Sequence, residues 1–273
     1  METNPKVSIC IPVYNGEKTI KDTILSIINQ TYKNIEIIIS DNKSTDNTVS
    51  VVNEFKDSRI SFYKNDSNIG LARNWNKCLE KCKGEYIHFI CADDTLSPEC
   101  IEEKVKVMNS DKDIVMVINT MNMYNEEKKL VMKRKIYNRD TIIDGYKFAK
   151  KSLYRGNIYG GPSNVLFRKD SLEKSGVFPT NTYYTTDWEF TLRLSPLGKI
   201  AYLEKGFTHY IISRSNTTSK TSLKVSLKDD AQMIKNLENY KYLKITFVDK
   251  VIHNIAIRIR NLARIIYMKY FFK

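Results

Sequence analysis

The stretch Val7-Ser-Ile-Cys-Ile-Pro-Val13, followed by Tyr14-Asn15-Gly16, decides the fold of this chain. Its unbroken run of apolar and β-branched residues is typical of a strand buried on both faces, as in parallel sheets. Similar strands are predicted at Ile35–Ser40, Arg59–Lys64 and Glu85–Cys91, with amphipathic helices between them. Strands and helices that alternate at this spacing predict right-handed βαβ units and an α/β fold with a parallel sheet.

The rest of the chain continues this architecture less regularly. The predicted elements are a helix from Pro98 to about Asn109, a strand at 114–118, a hairpin or irregular excursion at 119–140, a helix near Asp144, a strand at Ser163–Arg168, a helix from about Asp187, and short strands at 200–203 and 208–212. Internal repeats and low-complexity linkers are absent from the sequence. We therefore expect these blocks to share one domain.

The formal net charge is +13, and much of it lies near the end of the chain. Residues 220–273 contain twelve Lys and Arg against four Asp and Glu. This distribution favours contact with anionic lipid head groups or another polyanion. It disfavours a nucleic-acid groove within the main fold, so no nucleic-acid partner is predicted.

From about Ser222 the pattern is helical. It places Ile255, Ile259, Leu262, Ile266 and Tyr270 on one face, with arginines interleaved. Such a basic amphipathic helix binds a membrane surface, docks on the protein's own core, or contacts a partner, including a second copy in a homodimer. The sequence leaves these alternatives open.

Cysteine usage and the start of the sequence bear on the compartment. The five cysteines are odd in number, and Cys78 and Cys82 are one helical turn apart, without a second cysteine pair or a histidine cluster. Small core residues in a reducing setting fit this pattern better than a zinc site. The polar residues 1–6 and the short apolar run after them do not resemble a secretory signal. We therefore expect a cytoplasmic protein, which the basic tail could hold at the inner face of the cell membrane.

Polar residues follow the predicted strands where ligands bind open parallel sheets, beyond the carboxyl ends. Asp41 follows the second strand, and Asp93-Asp94 follows the fourth. Two adjacent carboxylates emerging from a buried strand are costly without a cation. Oxygen ligands without nearby histidine favour Mg²⁺ or Mn²⁺ bridging substrate phosphates. For an Asp-Asp pair taken alone, a solvated turn is the more common explanation.

Five ordered segments carry a family resemblance. They are VSICIPVYNG from Val7, QTY from Gln30, ISDNKSTDNT from Ile39, NIGLARN from Asn68, and GEYI from Gly84 with ADD ending at Asp94. In this order and spacing the chain resembles the family 2 glycosyltransferases of GT-A fold. The resemblance implies a mostly parallel, Rossmann-like central sheet flanked by helices, with a C-terminal helical extension.

The resemblance also implies a site for a nucleotide-sugar, with the sugar inverted at its anomeric carbon on transfer. Asp41 would accept a hydrogen bond from a base imide, and Arg73 would donate to the base or the phosphates. Asp94 would ligate Mn²⁺ or Mg²⁺, although Cys91 or Ala92 stands where the family commonly has a further acid. The nucleotide-binding residues implied are Pro12, Val13, Tyr14, Asn15, Asp41, Arg73 and Asp93.

Asp187 matches the position where the family places its catalytic base, with Thr186 where an acid is commoner. A helix N-cap is the structural alternative for Asp187. Trp188 either stacks on a sugar or belongs to the core. Gly161 would let the backbone approach donor or acceptor. His209 and Arg214 lie where relatives have a segment that closes over the diphosphate, with plain strand-end or loop roles as alternatives.

The predicted organisation is a GT-A domain at 1–218, with a nucleotide-binding half at 1–118 and an acceptor-binding half at 119–218, followed by a basic amphipathic tail at 219–273. The predicted activity is metal-dependent, inverting transfer from a nucleotide-sugar, UDP-linked by resemblance, to a saccharide or lipid-linked acceptor in surface polysaccharide or glycolipid synthesis. A catalytically degenerate nucleotide-binding protein and a nucleotidyltransferase are the alternatives, the latter disfavoured because no Gly-rich phosphate loop opens the chain.

Overall fold

A computed structural model describes residues 4–213, 216 and 220–271, with side chains to residue 263. Its first part alternates strands and helices as predicted. The elements are β1 Val7–Val13, α1 Ile20–Ile28, β2 Ile35–Asp41, α2 Thr48–Asn53, β3 Ile60–Lys64, α3 Leu71–Lys81, β4 Tyr86–Phe89, β5 Thr95–Leu96 and α4 Cys100–Ser110.

The second part contains longer strands and the helices of the tail. Its main elements are β6 Ile114–Tyr124, β7 Leu130–Arg134, β8 Thr141–Asp144, α5 Gly145–Arg155, β9 Leu166–Arg168, α6 Leu172–Ser175, α7 Thr186–Leu194, β10 Lys199–Ile211, α8 Leu223–Glu238 and α9 Phe247–Phe271. β6 and β7 form the hairpin expected after residue 118. Among the described residues, no helix has the length and apolar character needed to cross a membrane.

Within the described residues, ten strands form one sheet in the order β3-β2-β1-β4-β9-β6-β10-β5, with β7 beside β6 and β8 beside β10. β1, β2, β3 and β4 are mutually parallel, and β6 is parallel to β10. β9 runs antiparallel between β4 and β6. The sheet is thus mostly parallel and flanked by helices, which confirms the predicted fold class.

Two apolar layers cover the faces of this sheet, because successive side chains of each strand point to opposite sides. Ile9 and Ile11 of β1 join the layer that contains α1 and α4, and Cys10 joins the layer that contains α3, α5, α7 and α8. Cys78 and Cys82 of α3 lie in the second layer as core residues. Because β1, β2, β4 and β6 run in the same direction, their carboxyl ends meet at one edge of the sheet, and this edge positions the site.

Two sequence predictions in the second part need correction. The short strands expected at 200–203 and 208–212 are one strand, β10, which continues through irregular pairing with β6 around Gly206. The strand expected from Ser163 begins only at Leu166, because Pro162–Asn164 forms a 3-10 turn. The predicted boundary between the two halves, at 118/119, falls inside β6.

Candidate active site

The loops after β1 and β2 are tied to each other. Asn15, which has a φ of 53°, receives Thr45 N–H on its Oδ1 at 2.8 Å and donates its own N–H to Ser44 Oγ at 2.9 Å. Gly16 N–H donates to Thr48 Oγ1 at 2.8 Å. Tyr14 directly precedes these anchored residues, with 49% of its surface exposed. The two loops thus form one wall with an exposed aromatic ring.

Asp41 ends β2 directly beside Val13, the last residue of β1. Its side chain is buried, and its carboxylate accepts the Ser44 N–H at 3.1 Å. Pro12 is buried in β1, and the Val13 carbonyl accepts the N–H of Asn42 at 2.8 Å. The structure therefore brings Pro12, Val13, Tyr14, Asn15 and Asp41 to one edge of the sheet.

A cluster of asparagines behind this wall was missed at the sequence level. Asn42 Oδ1 accepts Asn65 Nδ2 at 3.2 Å and the N–H of Ile69 at 3.0 Å, while its Nδ2 donates to Asn68 at 2.9 Å. Asn74 bonds both the hydroxyl and the carbonyl of Ser40. These bonds fix the start of α3, on whose exposed first turn Arg73 lies. Three of these asparagines, Asn42, Asn68 and Asn74, lie within the quoted motifs, which was the available signal.

Asp93 and Asp94 lie in the turn after β4. The Asp94 carboxylate, 2% exposed, accepts a hydrogen bond from Ser163 Oγ through Oδ2. Its Oδ1 is buried and has no hydrogen-bond partner among the described residues. Asp93 accepts Asn216 Nδ2 at 3.0 Å. The potential ligand atoms of Cys91, Asp93 and Asp94 all lie within 4.8 Å of one another. In the described part of the chain, no other group of three or more potential metal ligands is as close together.

The electrostatics of this turn favour a hard cation. Burial, together with the charge of Asp93, raises the pKa of Asp94 well above its ordinary value. Burial and the charges of Asp94 and Asp93 likewise raise the pKa of the Cys91 thiol, so the thiol keeps its proton and is a poor ligand for a soft metal. Carboxylate oxygens with an unpartnered buried lone pair fit Mg²⁺ or Mn²⁺. The donor set therefore suits the metal expected from the sequence.

Asp187 lies in the first turn of α7 and faces the same region. Its Oδ2 accepts Asn157 Nδ2 at 2.8 Å, and a Cβ placed on Gly161 would meet this oxygen at 4.0 Å. Burial raises the pKa of Asp187, while the hydrogen bond from Asn157 and the charge of Arg134 oppose the rise. α7 itself begins after Thr185, and no side-chain cap bond from Thr185 is present.

One short segment joins the two acids. Ser163 binds Asp94, and Gly161, two residues earlier, lies against Asp187. The charge of Asp187 also contributes to the raised pKa of Cys91, which lies in the Asp94 turn. Asp94 and Asp187, distant in sequence, therefore converge on the Gly161–Ser163 segment, which borders the candidate cleft. Gly161 has a φ of 93°, a conformation that favours glycine.

Three further candidates from the sequence are Trp188, His209 and Arg214. Trp188 is buried and donates its indole N–H to Ser152 Oγ at 2.8 Å, so it belongs to the core and offers no face to a sugar. His209 lies within β10, stacked on Tyr124 and bonded to Ser97 Oγ at 2.8 Å, which corrects its placement in a closing segment. Arg214 falls outside the described residues.

Comparison with protein families agrees with this geometry. The family model described as glycosyl transferase family 2 matches residues 8–176. The chain belongs to this family, as its motifs predicted, and is a glycosyltransferase. An uncharacterized glycosyltransferase of Rickettsia typhi is 27% identical over 262 residues, covering 94% of this chain and 76% of the relative.

A further relative has a more specific name. The Escherichia coli enzyme WfaP, named UDP-Glc:alpha-D-GlcNAc-diphosphoundecaprenol beta-1,3-glucosyltransferase, is 44% identical over 106 residues. The match covers 39% of this chain and 42% of WfaP. The similarity to WfaP thus concerns less than half of either protein.

Solved structures share the fold. TarS 1–349 of S. aureus, in complex with UDP-GlcNAc, has a TM-score of 0.72 at 18% identity and covers 86% of this chain and 67% of that one. The mannosyltransferase PcManGT of Pyrobaculum calidifontis, in complex with GDP-Man and Mn2+, has a TM-score of 0.63 at 17% identity. The match covers 98% of this chain and 74% of PcManGT. These structures support the GT-A architecture.

Proposed function

We propose that the protein transfers a sugar from a UDP-linked donor to an acceptor hydroxyl, with inversion at the anomeric carbon and with the help of a divalent metal. The observation that carries the proposal is the convergence of Asp94 and Asp187 on the Gly161–Ser163 segment. Asp94 offers a buried, unpartnered oxygen there, and Asp187 offers a carboxylate with a raised pKa. These are the groups that a leaving diphosphate and an acceptor hydroxyl require.

The donor would bind along the edge formed by the ends of β1, β2 and β4. Asp41 would accept the imide N–H of the base, against which the exposed ring of Tyr14 would lie. Arg73 would donate to the base or the phosphates, and Asp93 would contact the ribose. Asp94 would hold the metal, which when bound supplies positive charge to the departing diphosphate.

The transfer itself would be a single displacement. Asp187 would accept the proton of the acceptor hydroxyl while the hydroxyl oxygen forms its bond to the anomeric carbon. The bond between that carbon and the diphosphate oxygen would break at the same time, releasing the nucleoside diphosphate. Burial suits Asp187 to this role because it moves the pKa of the carboxyl closer to neutral pH. The Asn157 amide would hold the carboxylate in position.

The acceptor class is inferred from a relative. The name of WfaP describes a UDP-glucose donor and a lipid-linked acceptor. This supports a saccharide or lipid-linked acceptor in surface polysaccharide or glycolipid synthesis, on the cytoplasmic side of the membrane. Gly161, which leaves open space beside Asp187, would let the acceptor approach the base.

The proposal is tested with purified protein and a panel of UDP-glucose, UDP-GlcNAc and GDP-mannose, each with Mn²⁺, Mg²⁺ or EDTA. The readouts are release of nucleoside diphosphate, the shift in melting temperature on donor binding, and the anomeric configuration of the product. We expect metal-dependent turnover with a UDP-sugar and an inverted product. Nucleotide binding without turnover would instead indicate a degenerate enzyme.

The base is tested by Asp187→Asn. We expect transfer to fall by about 10²- to 10⁴-fold, the usual contribution of general acid-base catalysis, while the donor-induced melting shift persists. Glu189→Gln is a matched control, because Glu189 lies on the same helix but bonds Asn236 of α8 instead of facing the cleft. Equal loss of transfer in both variants would contradict the assignment of Asp187.

A further inference from the structure

The tail helix α9 turns its apolar side outward. Phe247 is 75% exposed, Ile255 is 57% exposed and Ile259 is 63% exposed. At 100° per residue, the exposed apolar residues lie within an arc of about 140° on the helix. We call this surface the α9 outer face, and it consists of Phe247, Val248, Val251, Ile252, Ile255, Ile259 and Leu262.

The opposite side of α9 is mostly polar, with Ile257 as a buried apolar residue, and it is this side that packs on the protein. Asp249 bonds Lys150 and Tyr154 of α5. His253 bonds the Leu153 carbonyl at 2.8 Å through Nδ1 and Asp230 at 2.6 Å through Nε2. Rotating the helix to bury its apolar side would leave these polar groups unpaired, at a cost of about 1–3 kcal/mol for each buried group. The outward direction of the apolar residues is therefore fixed by specific contacts.

The acidic residues of the tail are already engaged within the protein. Asp229 accepts the N–H of Tyr183, Asp230 pairs with His253, Glu238 pairs with Lys250, and Asp249 pairs with Lys150. These are all the acids between residues 220 and 273. The carboxylates of the tail thus point to partners in the chain, and they do little to neutralise its surface.

Exposed basic residues lie on the α9 outer face and on the neighbouring helix. At 100° per residue, Arg258 is exposed near one border of the apolar arc. α8 meets α9 where Ser226 Oγ contacts Asn261 at 3.4 Å, and Lys224 and Lys228, two residues to either side of Ser226, are exposed on α8. An apolar strip with a cation at its border and further exposed cations on the adjacent helix is complementary to a bilayer with anionic head groups. Two copies of this surface would repel each other, which disfavours a homodimer through the same face.

We propose that the α9 outer face docks on an anionic lipid bilayer. The helix would lie in the plane of the surface, with its apolar residues in the acyl boundary and Arg258 on the phosphates, while the exposed Lys224 and Lys228 of α8 would add longer-range attraction to the anionic surface. The polar contacts of Asp249 and His253 would hold the catalytic domain against the helix. The proposal does not rest on the donor or the acceptor, since it concerns a surface remote from the cleft acids in sequence and built from other residues.

The test is co-sedimentation of the full chain with vesicles of phosphatidylcholine alone or with 30% phosphatidylglycerol. We expect binding to the anionic vesicles that weakens in 0.5 M salt. The double variant Ile255→Ser with Ile259→Ser should reduce the partition coefficient by about tenfold or more, because it removes two apolar side chains from the contact. The triple variant Lys224→Gln, Lys228→Gln and Arg258→Gln should abolish the preference for anionic vesicles.

A matched control is Leu130→Ser with Ile142→Ser, which removes two comparably exposed apolar residues from β7 and β8. This variant should bind vesicles like the unaltered protein. Circular dichroism and nucleotide-sugar turnover without vesicles keep loss of folding or of the enzyme distinct from loss of docking. If the Ile255/Ile259 variant bound anionic vesicles as well as the unaltered protein does, the proposal would be overturned. A dimer that these substitutions convert to a monomer, without vesicle binding, would overturn it in favour of a second copy.

Discussion

Asp94 in the cleft and Asp249 in the tail are buried to the same degree, 2% and 4% exposed, but their electrostatic states are opposite. Burial and the charge of Asp93 raise the pKa of Asp94. Burial would also raise the pKa of Asp249, but hydrogen bonds from Lys150, Tyr154 and Thr246 hold it well below the ordinary value. A carboxylate that its own chain satisfies builds structure, whereas one left unsatisfied indicates where a ligand belongs.

Among the variants that test this comparison, Asp94→Asn should have the largest effect. Removing the carboxylate should weaken metal-dependent donor binding by about 100-fold, since the cation loses its buried ligand. The same change should raise the free energy of unfolding of the metal-free protein at pH 7.5, because burial disfavours the charged form of Asp94 and the amide carries no charge. Calorimetric titration and urea unfolding measure the two effects. Unchanged metal dependence would remove Asp94 from the proposed site.

Asp249→Asn should have the opposite effect on stability. The variant loses the charge that pairs with Lys150 and accepts from Tyr154, so the free energy of unfolding should fall by about 2–3 kcal/mol. Urea unfolding under the conditions used for Asp94→Asn provides the direct contrast. A gain in stability would show that the comparison between the two buried aspartates is wrong.

Glu189 extends the comparison to pH. Burial raises the pKa of Glu189 to about 7 from 4.5, so the native state keeps a proton that the unfolded state has lost. Stability from this group is therefore present below about pH 4.5 and falls as the pH rises to about 7, by roughly 2 kcal/mol. Asp249 has a lowered pKa, so its contribution is present at neutral pH and is lost as the pH falls below about 4. Unfolding of Glu189→Gln between pH 4.5 and 7.5 should lack the first slope.

The smallest effect is expected from Trp188→Phe. The variant loses the hydrogen bond to Ser152, which should lower the free energy of unfolding by about 1 kcal/mol. The Michaelis constants for donor and acceptor should not change, because Trp188 is buried beside Asp187 and faces the core. A higher Michaelis constant for the acceptor, without a loss of stability, would instead favour stacking of Trp188 on a sugar.

The first part of the chain, from β1 to α4, was the more predictable part of the fold. β1 and β4 are buried along their whole length and β2 at every position except Glu36, so their apolar runs are unambiguous, and the turn residues mark their ends. The pairs β6–β7 and β8–β10 are harder, because their exposed strands carry no continuous apolar pattern. The unbroken course of β10 depends on its long pairing with β6, a tertiary contact that local sequence does not encode.

The candidate site shows a similar division. Asp41, Asp94 and Asp187 were predicted through motifs. The structure places Asp41 at the end of β2, Asp94 in the turn after β4 and Asp187 beside Gly161. The asparagine cluster and the contact between Ser163 and Asp94 were not predicted, because a buried amide or hydroxyl is recognised only from its hydrogen-bond partners. The apolar stripe of α9 was visible in sequence. Its outward direction was not, because Asp249 and His253 find their partners on α5 and α8.

The bonds that join Asn15 to Ser44 and Thr45 make the loops after β1 and β2 a single rigid unit before any ligand arrives. A donor would therefore not have to order two separate segments, which saves about 0.5–1.5 kcal/mol for each side chain already fixed. Exchanging one loop with that of a relative would break the bonds to the other. A successful graft of donor preference would have to move both loops together.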